Sequence, residues 1–140
     1  MTEAKPGKET TTRGGDERET RPLAAPLSVV RIEDAAERLR SEAQYRLGDR
    51  NAVTLTKDGS MRVQLVTLNR RARLHENDPE GSLSVLVLEG SVTVTVEGRS
   101  EHVTSGSVAL VAAGHSWEIS ADEESLLLVQ LSWPPEPASR

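Results

Sequence analysis

Cysteine and phenylalanine are both absent from this 140-residue chain, and its aromatic side chains are Tyr45, Trp117 and Trp133 alone. Without Cys there is no disulfide, no thiolate metal site and no Cys nucleophile. With so few rings there is no stacking platform for single-stranded nucleic acid, and the core has to be built from Val and Leu. Positive charge is also in short supply. Lys plus Arg number 17 against 22 Asp plus Glu, a net charge of −5 that argues against general affinity for nucleic acid. No run approaches the ~18 apolar residues of a membrane span, and residues 1–20 are charged and polar where a signal peptide would be apolar. The expectation is a cytoplasmic, single-domain protein with neither a membrane nor a nucleic acid as partner.

Three regions differ in pattern. Residues 1–27 hold five basic side chains (Lys5, Lys8, Arg13, Arg18, Arg21) and five acidic ones (Glu3, Glu9, Asp16, Glu17, Glu19), with nothing to bury. Such a segment cannot offset its ordering entropy, so a disordered tail is expected there. The folded domain is expected at 28–134, with a loose C-terminus at 135–140 after Pro134 and Pro135. Within the domain, Ile32, Ala35, Ala36, Leu39 and Ala43 recur at helical spacing, which predicts one helix over 33–46 ended by Gly48. From residue 52 the period becomes two. Short alternating runs such as Val92-Thr93-Val94-Thr95-Val96, parted by turn residues such as Glu97-Gly98-Arg99, predict an all-β sandwich or barrel.

One run breaks the alternation. Leu126-Leu127-Leu128-Val129-Gln130-Leu131 is apolar at almost every position, and a strand apolar on both faces should be covered on both. The barrel interior covers one face. The other needs the 33–46 helix, the 22–31 segment or a second subunit, so a homodimer is expected.

The stretch Ala72-Arg73-Leu74-His75-Glu76-Asn77-Asp78, followed by Val87-Leu88-Glu89-Gly90, resembles the first motif of a cupin barrel. Gly106, followed by Ala112, Gly114 and Trp117, resembles the second. The chain is similar, over roughly residues 60–132, to the small single-domain cupins of the RmlC-like superfamily. That resemblance implies an all-β jelly roll (a double-stranded β-helix) carrying one N-terminal helix. It also implies the place where iron, manganese, zinc or nickel would be held by three His and a Glu. Matched residue by residue, only His75 carries over; Asn77, Leu83 and Trp117 stand at the other three positions. A catalytic metal needs about three protein ligands, so no cofactor is expected.

Beside the plain reading of a filled, dry barrel, two functional readings of its mouth follow. In the first, Trp117 is a stacking wall and His75, Asn77 and Gln64 are polar anchors for a small polar or aromatic molecule, and the protein is not an enzyme. His115, two residues before Trp117, would stand nearby. In the second, His75 and His115 belong to a rearranged metal site of an oxygenase- or isomerase-like enzyme. His102 reads as a solvated surface residue, and the basic run at 69–73 as a solvated turn. No Ser/His/Asp arrangement and no phosphate-cradling Gly loop is visible.

Overall fold

Period-two patterning becomes paired strands, because alternating strands hydrogen-bonded side by side put their apolar side chains on one face, which an opposing sheet can bury. A computed structural model describes residues 26–132. The expected tail at 1–27, apart from its last two residues, and the expected loose end at 135–140 lie outside the described residues. Two helices come first, α1 (Ile32–Ser41) and α2 (Ala43–Leu47). The strands are β1 (Arg50–Asp58), β2 (Met61–Leu68), β3 (Arg73–Glu76), β4 (Ser82–Glu89) and β5 (Ser91–Val96). They continue as β6 (Arg99–Thr104), β7 (Val108–Val111), β8 (Trp117–Ala121) and β9 (Ser125–Ser132).

The strands form two antiparallel sheets, one in the order β1-β2-β9-β4-β7 and one in the order β3-β8-β5-β6. The interior between them is aliphatic. Leu68, Leu83, Val85, Val87, Val92, Ile119 and Leu127 are its buried centre. Gly90 makes the step from β4 in one sheet to β5 in the other. Its φ is +87°, and a Cβ there would run into the Glu124 carbonyl and Ser125, so a side chain is excluded on two counts. No helix among the described residues is long and apolar enough to cross a membrane.

The single helix expected at 33–46 is instead two. Glu42 is extended (φ −82°, ψ 153°) and separates α1 from α2. The cause lies on β1. Buried Asn51 donates its Nδ2 to the Leu39 carbonyl (3.0 Å) and to Glu42 Oε1 (2.8 Å). The Leu39 carbonyl, which a continuing helix would pair with the Ala43 N–H, accepts instead from Asn51 and from the Glu42 N–H (3.4 Å). Beyond the break, Tyr45 turns inward from α2, and its hydroxyl donates to Glu124 Oε2 at 2.5 Å.

The leucine strand is covered on both faces over its first half. Leu127 and Val129 face the barrel interior. Leu126, on the opposite face, packs with Ala36, Leu39 and Leu65, and Leu128 packs partly against the same group. Of the three covers considered from sequence, α1 supplies the one at Leu126. Gln130, further along, is exposed.

Candidate functional site

At the end of the barrel formed by the start of β2, β4 and β8 and the finish of β3, β5, β7 and β9, several inward positions are polar or aromatic. Gln64 on β2 lies opposite Val129, shares the interior face with Val66 and Leu68, and donates Nε2 to Thr54 Oγ1 at 3.5 Å. Arg62 precedes it on that face, opposite Leu131. On the other sheet Trp117 is half-buried against the core, opposite Val96 on one side and Glu76 on the other. Gln64 and Trp117 both lie on inward faces toward this end. Arg62 and Glu76 join them, and sequence pattern alone did not single them out. For Arg62 the strict alternation with Gln64 and Val66 was the signal available.

His75 is elsewhere. Antiparallel partners that sit directly opposite share a face. In β3, Leu74 lies opposite Ile119 and Glu76 opposite Trp117, so these two point inward. His75 lies opposite Glu118 and Arg73 opposite Ser120, on the outer face. Arg73 Nε also sits 3.3 Å from Glu118 Oε2 there. Register thus puts His75 and Trp117, grouped from the sequence, on opposite faces of their sheet. A shift of one residue moves every side chain of a strand to the other face. Asn77 follows β3 in an exposed loop.

His115 is drawn away as well. Its Nδ1 lies 2.5 Å from Glu97 Oε2, at the β5–β6 turn. The loop carrying it is tied to the β3–β4 loop through Gly114 N–H to the Pro79 carbonyl (3.0 Å) and Asp78 N–H to Ser116 Oγ (3.0 Å). His102 stays on the surface, its Nδ1 3.1 Å from Thr93 Oγ1 and 3.2 Å from Asp122 Oδ2. Among the described residues no three His, Cys, Asp or Glu side chains are grouped to hold a metal ion. The inward positions of β3 and β8 explain this. Leu74, Ile119 and Trp117 offer no donor that binds a divalent ion, which leaves Glu76 alone. The donor set at the mouth does not fit a cupin metal centre.

No protein-family model matches the chain, and no curated protein matches it in sequence. Solved structures do resemble it. A conserved protein of unknown function from Streptococcus pyogenes superimposes with a TM-score of 0.65 at 15% identity, over 84% of this chain and 96% of that one. Salicylate 1,2-dioxygenase from Pseudoaminobacter salicylatoxidans reaches a TM-score of 0.69 at 16% identity, over 80% of this chain and 38% of its own length. The cupin domain of Schizosaccharomyces pombe Cnp3 gives a TM-score of 0.56 at 19% identity, over 61% of this chain and 65% of that domain. The protein has the cupin fold. Its structural neighbours include a dioxygenase and proteins that carry no enzyme name, so the fold fixes no activity.

Proposed function

We propose that this protein is a cupin barrel that binds a small molecule at its open end without a standard metal centre, acting as a non-catalytic binding module. The observation that carries the reading is the uneven interior. Aliphatic residues fill the centre of the interior, whereas Arg62, Gln64, Glu76 and Trp117 occupy inward-facing positions toward one end. A few polar groups beside one flat aromatic wall suit a small planar molecule with polar substituents. The alternative, a metal-dependent enzyme using His75 and His115, has less support. The first lies on the outer face and the second is engaged with Glu97.

The test is a thermal-shift screen of the full chain against small aromatic and hydroxylated acids and amides, with native mass spectrometry for a retained organic ligand. A ligand at about 100 times its Kd adds about 2.7 kcal/mol to the stability of the folded state. The expected result is a stabilising compound whose effect disappears in Trp117→Ala and weakens in Gln64→Ala, but persists in His75→Ala. A compound whose effect depends on His75 and not on Trp117 would contradict the proposed site.

A further inference from the structure

The outer face of the five-stranded sheet is covered by α1 only near β2 and the start of β9. Toward β7 no other described residue covers it, and it is largely apolar. Leu110 is 75% exposed, Val108 50% and Met61 41%. Register aligns Val63, Gln130, Ser84 and Leu110 in one row across four strands, and Met61, Ser132 and Ser82 in the next. An open groove of about 540 Å³ runs over these rows. Its floor is low because Ser82, Ser84 and Ser132 are small, and Leu110 and Met61 rise beside it. None of the residues lining it is charged. In addition, β7 is the edge of its sheet, and residues 105–114 carry no charge at all. Edges left free in solution are commonly guarded by charged side chains, prolines or bulges, and this one is not.

We propose that a second copy of this chain covers this face, with Leu110 of each copy seated in the serine-floored groove of the other. A twofold interface requires one patch to carry both the projection and the recess that receives it, and this patch carries both. The chain's own remaining segments suit the groove poorly. Residues 1–25 are charge-dense, and charges entering an uncharged apolar groove would lose hydration without gaining partners. Residues 133–137 include Pro134, Pro135 and Pro137, which lack the N–H groups that would bond the open edge of β7. The patch is neutral on a chain of net charge −5, so two copies can meet there without opposing like charges. This inference is independent of the ligand site at the mouth.

Sedimentation velocity of the full chain between about 5 and 200 μM tests it, in the range where modest interfaces dissociate. Wild type should sediment at twice the 15.2 kDa chain mass at the upper end. Leu110→Asp should shift to the single-chain mass with an unchanged circular dichroism spectrum, because the side chain is exposed within one copy. Leu110→Ser serves if the aspartate variant is insoluble, and should raise the dissociation constant at least tenfold. A wild type that stays at one chain mass throughout, or a dimer that neither substitution weakens, would overturn the proposal.

Discussion

Tyr45 offers a direct optical test of how the helical segment is fastened to the barrel. It is the only tyrosine in the chain, so tyrosinate absorbance reports on it alone. It is 6% exposed, and its hydroxyl donates to Glu124 Oε2. Burial, and then the Glu124 carboxylate that holds its proton, push its pKa well above the ordinary 10.0, with Arg40 opposing weakly. Tyr45→Phe removes one hydrogen bond to a charged group, worth roughly 1.5–3 kcal/mol. Glu124 itself is exposed, so about 1.5 kcal/mol is expected at about pH 7. The sign of the pH dependence follows from proton binding. Above pH 10.0 the unfolded chain loses the tyrosine proton while the folded one keeps it, so wild-type stability falls as pH rises. The fall approaches about 1.4 kcal/mol per pH unit, and the phenylalanine variant lacks it. The gap between the two proteins should therefore close near about pH 11. Urea denaturation of both proteins across this range, with tyrosinate absorbance of the folded wild type, measures both effects. Ordinary titration of Tyr45 in the folded protein, or equal stability of the two proteins at neutral pH, would refute the reasoning.

Two further substitutions test the packing. Leu127 is fully buried in the barrel whereas Leu128 is only half-covered on the α1 side. Leu127→Ala should therefore lower unfolding free energy by about 2–5 kcal/mol and Leu128→Ala by clearly less, read by chemical denaturation. Gly90→Ala meets both a positive φ and the Glu124 carbonyl. It should cost at least about 2 kcal/mol, against a smaller loss for Gly98→Ala, where φ is +81° but no atom lies near.

Much of the fold was legible because each long strand buries one face. Val92 and Val94 alternate with Thr93 and Thr95, and that pattern needs no partner to be read. The leucine run likewise announced two covered faces, and α1 meets part of that demand. What was not legible depends on residues distant in the chain. The break at Glu42 is imposed by Asn51 from a neighbouring strand, and nothing in the apolar spacing of 32–43 signals it. The orientation of His75 depends on β3, only four residues long, in which Leu74 is the one apolar side chain. So short a strand carries too little alternation to fix its own face; its pairing with β8 does that. The motif resemblance grouped His75 with Trp117, whereas the register puts the two on opposite faces of their sheet. Gln64 sits on the longer strand β2, whose alternation already set Arg62, Gln64 and Val66 on one face.

The central claim is that the inward side chains at the mouth cannot hold a metal. Untagged protein should be loaded in turn with ferrous iron, manganese, nickel and zinc, desalted, and measured by elemental analysis. The predicted content is far below one equivalent for every metal, and unchanged in His75→Ala and His115→Ala. Near-stoichiometric retention of any one of them, abolished by either substitution, would contradict the claim and favour a metal-dependent enzyme.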